Sequence, residues 1–399
     1  MNLRRGARWG GAWCVVLFGA LLGSACRKNA RTAPLEGGSA SSASSSASVS
    51  VAASGFLVSP PFAEVALATQ AGAPLEAAHP SPYPGAGGAT IQRFAKGCIG
   101  PDGSGGLALF TTCEPPKKLG AVLAHLATLV PKLSYGSDLA AGVTFLPTSE
   151  RSLHRPHEPR VAASIGKWFW AAAALHKQGP SNVSIVEAAA VPAFAISDNA
   201  KGRVLIDLAG GADAVNRFTE QVLAIPAADL SLCRYQGDVV RAAAVCYREA
   251  NIGNFFTPMG ALLFLEKIWR GEPMKGEQRA ALLRWSKLAP DFGFSIGHQL
   301  PEAAQLGMHH KRAELPTNCC DLPPEYNWTA EIAIIPTPRG PYAVALSLAH
   351  SETYGNQIGA IEWASCVLYH AVAEDVVDPF AAGCKTPQGG PSPGTASAP

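Results

Sequence analysis

The sequence predicts a mixed α/β (α+β) domain, and three observations support this class. Residues 331–336 and 342–349 are strand-like apolar runs joined by a short turn, which is typical of an antiparallel hairpin. Residues 356–372 follow as a helical run. Upstream, residues 164–178 are Ala-rich and apolar, and Gly179 follows where a helix C-cap is expected. Helices and strands are therefore predicted within one domain.

The elements before the hairpin are predicted in chain order. Residues 119–133 are expected as the first helix and residues 141–146 as the first strand. A capping-box pattern predicts a helix over residues 184–196, in which Pro192 favours a kink or an early end. Thr257 is a good helix cap followed directly by proline, so it predicts the start of another helix.

Ser164 and Lys167 form an S-x-x-K tetrapeptide at the start of the Ala-rich run. Residues three apart lie on one face of a helix, so the two side chains can meet. A serine hydroxyl is a poor nucleophile near neutral pH and needs a base within hydrogen-bond reach. A helix N-terminus also carries free N–H groups and a partial positive charge, which favour deprotonation of Lys167 and a nearby oxyanion.

A second polar cluster, Ser197-Asp198-Asn199, follows 33 residues after Ser164 (197 − 164). Residues 200–208 are predicted to form a short helix that closes on two glycines. The triplet is therefore expected in the turn between two helices. Such a turn also suits Ser and Asp as capping residues, which is the structural alternative.

A third cluster contains Lys311, within the strand-like residues 308–315. Taken in order, the tetrapeptide, the triplet and this lysine resemble the active site of serine β-lactamases and penicillin-binding proteins, and are most similar to class A β-lactamases. The resemblance covers roughly residues 115–378. It implies a β-lactamase/transpeptidase-like fold, in which an antiparallel sheet is flanked by helices and joined by an additional all-helical lobe.

The resemblance also implies a role for each residue of the first two clusters. Ser164 would be the nucleophile and Lys167 the base that accepts its proton. Ser197 would relay a proton to the leaving nitrogen, Asn199 would bind the substrate, and Asp198 would brace the turn.

The third cluster departs from the family pattern. Lys311 keeps the cation expected to attract a substrate carboxylate, but Arg312 replaces a small hydroxyl residue and Ala313 replaces glycine. Arg312 is expected either to add a second substrate-binding cation or to fill the cleft. The E-x-E-L-N segment that carries the deacylating glutamate of class A enzymes is also missing, and Asp238 and Glu249 are weak substitutes for it.

These motifs predict a serine hydrolase that forms an acyl-enzyme with a β-lactam or a related amide. Two alternatives stay open: a non-catalytic or penicillin-binding lipoprotein with slow or no deacylation, and a D-alanyl carboxypeptidase-like peptidase acting on peptidoglycan-type peptides. No cofactor or metal is expected. With 32 basic and 30 acidic residues, the formal charge of +2 provides no basic field for nucleic acid.

The N-terminus resembles a bacterial lipoprotein signal. Three arginines among the first eight residues precede the apolar residues 13–22, and small residues lead to Cys26 as the lipidation site. Gly23 stands where leucine is usual, so ordinary secretion is the alternative. The chain is therefore expected outside the cytoplasm, in the periplasm, held to a membrane by a lipid anchor.

The rest of the chain is expected to divide by composition. Serine, alanine, glycine and proline dominate the region after Cys26, which predicts a flexible tether. The expected segments are a signal peptide at 1–26, the tether at 27–95, a small cysteine-linked segment at 96–114, the β-lactamase-like domain at 115–378 and a flexible tail at 379–399.

Cysteine usage agrees with export. Beyond Cys14 and Cys26, eight of the ten cysteines remain, an even number that favours disulfides. The sequence leaves the connectivity open. Cys98 with Cys113 and Cys233 with Cys246 are plausible close pairs, and one option for the rest divides Cys319 and Cys320 between Cys366 and Cys384. A zinc site formed by His309-His310 and Cys319-Cys320 is a weaker alternative, because no tetrahedral ligand spacing supports it.

Overall fold

The computed structural model describes residues 60–80, 90–101, 106–134, 136–232, 254–289, 295–315, 328–349, 354–374 and 378–387. All of them belong to the unit Ser48–Pro399. The helices are α1 (Pro60–Ala68), α2 (Leu119–Leu133), α3 (Gly166–Gln178), α4 (Val183–Ala195), α5 (Asn199–Ala209), α6 (Ala212–Arg217), α7 (Pro258–Trp269), α8 (Glu277–Ser286), α9 (Glu302–Gly307) and α10 (Tyr354–Ala373). Among these residues, none of the helices combines the length and the apolar character that a membrane crossing needs.

Twelve strands are found among the described residues. They are β1 (His79–Pro80), β2 (Thr90–Phe94), β3 (Gly97–Pro101), β4 (Leu107–Phe110), β5 (Asp138–Phe145), β6 (Glu150–His154), β7 (Arg160–Val161), β8 (Leu230–Leu232), β9 (Asn254–Phe256), β10 (His309–Leu315), β11 (Trp328–Ile335) and β12 (Tyr342–Ala349).

The central sheet has five antiparallel strands in the order β10-β11-β12-β5-β6. Every residue of β11 and β12 is buried, because both faces of the sheet are covered. On one face, Val344 and Leu346 pack with apolar residues of α2 and α10. On the other face, Ala343 and Ala345 join the core formed by α3 and α7. The predicted class, an antiparallel sheet flanked by helices, is confirmed.

The helical lobe is built around α3. Its central residues Ala171 to Ala174 are buried, and their small side chains allow α4, α5 and α8 to approach closely. Phe169 meets Phe264 edge to face, with ring centroids 4.5 Å apart. Pro192 lies inside α4 and does not end it early, so the helix continues to Ala195. This arrangement fixes the start of α3 and the α4–α5 turn next to each other.

The N-terminal part of the described chain forms a small separate sheet. Strands β1 to β4 pair in sequence order, and α1 covers them through a cluster of Phe62, Phe94 and Ile99. The tether predicted at 27–95 was therefore too long, because residues 60–80 and 90–95 supply a helix and strands. The glycine- and proline-rich composition suggested a tether, because few apolar residues in this region form the packed cluster.

Two disulfides are present among the described residues. Cys98 bonds Cys113, with Cα atoms 5.5 Å apart, which confirms the predicted pair and ties β3 to the segment after β4. Cys366 bonds Cys384, with Cα atoms 5.8 Å apart. This second bond corrects two predictions: neither cysteine pairs with Cys319 or Cys320, and the tail expected at 379–399 is held to α10 as far as Cys384. Sequence alone does not fix the connectivity of cysteines.

Several predicted positions lie outside the described residues. They are Cys14, Cys26, Cys233, Asp238, Cys246, Glu249, Cys319 and Cys320.

Candidate active site

Ser164 lies at the entrance to α3. It occupies a single 3-10 turn, Ala163–Ile165, and the α-helix begins two residues later at Gly166. Ala163 has a positive φ of 37°, a conformation that L-residues rarely adopt and that often marks functional sites. The helix predicted from Ser164 is thus confirmed, with its first turn tightened so that the serine stands at the mouth of the helix.

Lys167 is completely buried, and the polar groups of the site surround its amino group. Its Nζ lies 2.9 Å from Ser164 Oγ and 3.0 Å from Ser197 Oγ. It also donates to the backbone carbonyl of Ser197 and to Oδ1 of Asn199, both at 2.7 Å. Carbonyl oxygens only accept hydrogen bonds. A neutral amine would therefore direct its two N–H groups at these carbonyls and its lone pair at the hydroxyl groups.

The electrostatics favour that neutral form. Burial lowers the pKa of Lys167 to about 7, the positive charge of Lys311 acts in the same direction, and the negative charge of Asp198 opposes both. Near neutral pH a large fraction of Lys167 is then unprotonated, which is the state that a general base requires.

The predicted S-D-N turn lies between α4 and α5, as expected. Ser197 has a positive φ of 55°, which turns the chain so that its Oγ lies 2.9 Å from Ser164 Oγ. Asp198 is the N-cap of α5, and its carboxylate accepts a hydrogen bond from the backbone N–H of Lys201 at 3.0 Å. This bond supports the bracing function predicted for Asp198. Asn199 is the first residue of α5 and points its amide oxygen at Lys167.

Lys311 reaches the same point from the sheet. It lies in the edge strand β10, is buried, and donates from Nζ to Ser197 Oγ at 3.1 Å. Burial lowers the pKa of Lys311 to about 8; the negative charge of Glu331 opposes this shift, and the positive charge of Arg312 adds to it. Ser197 Oγ is therefore within hydrogen-bond distance of both lysines and of Ser164 Oγ.

The other β10 residues form the cleft wall. A cleft of about 220 Å³ is lined by Ser164, Ser197, Ala289, His310, Lys311, Arg312 and Glu314. Arg312 forms an ion pair with Glu314 inside this cleft. Ala313 is buried with the apolar core and its side chain does not line the cleft. Arg312 thus occupies part of the cleft wall, and its role as a second substrate-binding cation stays a prediction.

Sequence reasoning missed His310 and Glu314 as cleft residues. Side chains two apart on a strand share one face, so both could have been assigned to the face of Arg312 once β10 was recognised. His310 Nδ1 lies 2.6 Å from the buried carboxylate of Glu331. His309 instead faces the backbone carbonyl of Leu283, and burial lowers its pKa to about 4. The weaker zinc alternative gains no support from these contacts.

The chain was compared with known proteins. Residues 172–372, just over half of the 399, match the model of the beta-lactamase enzyme family. The matched region contains Ser197, Asn199 and Lys311 and begins shortly after Ser164 and Lys167. The chain belongs to the beta-lactamase enzyme family. No curated protein sequence matches it.

Solved β-lactamases share the fold. A beta-lactamase from Chitinophaga pinensis DSM 2588 is 14% identical, superposes with a TM-score of 0.50, and the match covers 61% of this chain and 96% of that one. A representative of class A beta-lactamase from Bacteroides cellulosilyticus DSM 14838 is 16% identical with a TM-score of 0.52, covering 65% and 98% of the two chains. At these identities the likeness concerns the fold alone.

Proposed function

We propose that this protein is a serine hydrolase of the β-lactamase type that forms an acyl-enzyme on Ser164. The observation that carries the proposal is the position of Lys167, whose buried amino group lies 2.9 Å from Ser164 Oγ and has a pKa lowered to about 7. A nucleophile, a base at hydrogen-bond distance and groups that orient the base are the three parts that such catalysis needs.

Acylation follows from this geometry. The lone pair of Lys167 accepts the proton of Ser164 as Oγ attacks the carbonyl carbon of a β-lactam or related amide. Attack converts the carbonyl into a tetrahedral oxyanion, for which the backbone N–H of Ser164 at the mouth of α3 is one donor. The two carbonyl oxygens that accept from Nζ hold the amine in this orientation, so little reorganisation accompanies the transfer.

Collapse of the intermediate needs a proton on the leaving nitrogen. Ser197 Oγ lies 3.0 Å from Lys167 Nζ and 3.1 Å from Lys311 Nζ. The Ser197 hydroxyl can therefore pass a proton from Lys167 to the leaving nitrogen, while the charge of Lys311 stabilises the Ser197 oxygen during the transfer. The C–N bond then breaks and the acyl group remains on Ser164. Lys311 and Arg312 supply positive charge for a substrate carboxylate, and Asn199 holds Lys167 through its amide oxygen while its substrate contact stays a prediction from the family resemblance.

The assembled site weighs against the scaffold alternative. Lysines directed away from the serines would have favoured a scaffold, whereas both amino groups point at Ser197 Oγ. Hydrolysis of the acyl-enzyme requires a further base, and the candidates Asp238 and Glu249 lie outside the described residues. A long-lived penicillin-binding acyl-enzyme and a D-alanyl carboxypeptidase use the same acylation chemistry and remain the alternatives.

The test combines turnover with mass. Purified domain is mixed with a chromogenic cephalosporin, and both hydrolysis and intact mass are followed beside Ser164→Ala. Turnover that is lost in the variant supports a β-lactamase, whereas a stable adduct without turnover supports the penicillin-binding alternative. Equal turnover or equal labelling of the variant would show that Ser164 is not the nucleophile.

The proposed compartment is the periplasm, with the chain anchored through lipid on Cys26. The arginine-rich start, the apolar run and the small residues before Cys26 support this proposal. Metabolic labelling with a radioactive fatty acid in a bacterial host should mark the wild type and leave Cys26→Ser unlabelled. Equal labelling, or none in the wild type, would contradict lipidation at this cysteine.

A further inference from the structure

The cleft wall carries an ion pair beside the reacting groups. Arg312 and Glu314 are two residues apart on β10, so their side chains extend from the same face of the strand. Their guanidinium and carboxylate groups contact each other, and the side chains are only 16% and 29% exposed. Both residues line the cleft that contains Ser164 and Ser197. A ligand that reaches the serines therefore enters next to this pair.

The two terminal nitrogens of the Arg312 guanidinium have different surroundings. Nη2 faces the carboxylate of Glu314. Nη1 is buried and has no hydrogen-bond partner within the part of the chain that the structure describes. A guanidinium presents a planar set of donors that matches a carboxylate. Among the described residues, Glu314 is therefore the ion-pair partner that a ligand carboxylate would have to replace on Nη2.

The neighbouring carboxylate has a different partner. Glu331 is buried on β11, opposite Arg312 in the sheet register, where Oε1 lies 2.6 Å from His310 Nδ1 and Oε2 accepts from the backbone N–H of Ile296 at 2.7 Å. Both carboxylate oxygens of Glu331 are thus engaged by these two partners. Glu314 is the carboxylate that lines the cleft itself, and its place on Arg312 is the place that a substrate carboxylate would take.

We propose that Glu314 is an internal counter-ion that competes with an anionic substrate for Arg312 and thereby sets the charge specificity of the cleft. The inference rests on the proposed function and deepens it. The substrates concerned are amides or lactams that bear a carboxylate near the reacting carbonyl. A neutral analogue does not compete with Glu314 for Arg312. Glu314 therefore reduces the difference in binding affinity between the charged ligand and the neutral one. Glu314 determines specificity and takes no part in bond breaking.

The experiment measures binding in a background that cannot react. Ser164→Ala protein is titrated with benzylpenicillin and, separately, with its methyl ester by isothermal calorimetry. Adding Glu314→Gln should tighten benzylpenicillin binding about fivefold, because a partly shielded ion pair is worth up to about that factor, and should change ester binding by less than about twofold. Glutamine keeps the size of the side chain and an oxygen that can accept from Arg312.

Two further variants separate this competition from general effects of charge. Glu220→Gln makes the same change in net charge at an exposed position of the helical lobe and should leave both affinities unchanged. Arg312→Gln should weaken benzylpenicillin binding, and in that background the gain from Glu314→Gln should fall below about twofold. A gain that persists without Arg312 would overturn the proposal in favour of simple repulsion between Glu314 and the ligand.

The outcomes also distinguish this inference from the proposed function. Carboxylate-selective tightening in the Ser164→Ala background supports the role of Glu314 even when the wild type shows no acylation. Wild-type acylation with equal effects on benzylpenicillin and its ester, or with no effect of Glu314→Gln, keeps the proposed function and overturns this inference. Absence of measurable benzylpenicillin binding in either Glu314 form also overturns it.

Discussion

Lys167 is the residue on which the proposed chemistry depends. Its four oxygen neighbours are two carbonyls and two hydroxyls, all within 3.0 Å of Nζ. An ammonium group has three N–H donors, whereas the neutral amine has two and a lone pair. The neutral form therefore matches two carbonyl acceptors and leaves the lone pair for a hydroxyl proton. Burial, which lowers the pKa of Lys167 to about 7, makes this form accessible.

The pH dependence of acylation should follow the two lysines. Below a pH of about 7 Lys167 is protonated and cannot accept the Ser164 proton, and above about 8 Lys311 loses the charge that binds an anionic substrate. The second-order acylation rate constant should therefore rise, peak and fall across this window. Because the two groups interact, the limbs report the pair. A rate that stays flat through neutral pH would contradict Lys167 as the base.

Asp198→Asn provides a sharper form of this test. The negative charge of Asp198 raises the pKa of Lys167, so its removal should move the acidic limb of the profile to lower pH. Asparagine can still accept the N-cap hydrogen bond from Lys201, so α5 should keep its start. Stopped-flow acylation across pH, beside thermal unfolding of the same variant, measures both effects. An acidic limb that moves to higher pH would contradict this assignment of charge.

At the scale of elements, three chain segments contribute the side chains of the site. The start of α3 supplies Ser164, the α4–α5 turn supplies Ser197, and the edge strand β10 supplies Lys311. Close packing of small residues sets their spacing: a Cβ at Gly202 would lie 3.2 Å from Cε of Lys167 and 3.1 Å from the Trp170 ring. Glycine at this position thus lets α5 pack against α3 without displacing the Lys167 and Trp170 side chains.

Gly166→Ala tests how the beginning of α3 is packed. A Cβ there would lie 2.6 Å from the Trp170 ring, which is itself completely buried, so the variant should lose about 1–3 kcal/mol of unfolding free energy. Gly120→Ala in α2 is the matched control, since its Cβ meets nothing closer than 3.7 Å, and alanine should stabilise that helix by about 0.5–1 kcal/mol. Urea unfolding compares the two. A neutral Gly166→Ala would show that the ring moves aside.

Local patterns predicted these elements well. The first helix was expected at 119–133 and is α2 over Leu119–Leu133, and Thr257 caps α7 by accepting from the N–H of Gly260 at 3.1 Å. The capping box expected at the start of α4 was wrong: Asn182 is the N-cap and makes no side-chain cap bond. Glu187 accepts from the indole of Trp285 instead, a tertiary contact that local sequence does not reveal.

The site could likewise be predicted only in part. Ser164, Lys167, Ser197 and Lys311 belong to short motifs that can be recognised in the sequence. The ion pair of Arg312 with Glu314 could not be predicted, because it depends on β10 being the edge strand of the sheet, and no short sequence motif indicates this.

At the scale of the whole molecule, the small sheet and the C-terminal segment both lie outside residues 172–372, the part of the chain that matches the family model. The small sheet β1–β4 meets the central sheet where the backbone N–H of Thr111 donates to the carbonyl of Pro338 at 2.8 Å, and Arg339 donates to the carbonyl of Glu114 at 3.1 Å. The C-terminal segment returns to α10 through Cys384. One disulfide closes the N-terminal segment internally, and the other joins the C-terminal segment to α10; disulfides of this kind are in keeping with the proposed export.

Removing the C-terminal disulfide should lower stability and leave the chemistry intact. The bond between Cys366 and Cys384 closes a loop with a sequence separation of 18, for which chain entropy predicts a loss of about 3 kcal/mol in Cys366→Ser/Cys384→Ser. Guanidinium unfolding measures the loss, and acylation per folded molecule should stay unchanged because neither cysteine lines the cleft. An unchanged unfolding midpoint would show that packing alone holds the segment.

The central claim is that Ser164 becomes acylated with Lys167 as its base. The most direct test digests the protein after brief exposure to benzylpenicillin at neutral pH and locates the adduct by peptide mass spectrometry. A penicilloyl group on the peptide containing Ser164, absent in Ser164→Ala and strongly slowed in Lys167→Met, is the predicted result. An adduct on another residue, or wild-type labelling that persists at the same rate in Lys167→Met, would contradict the account.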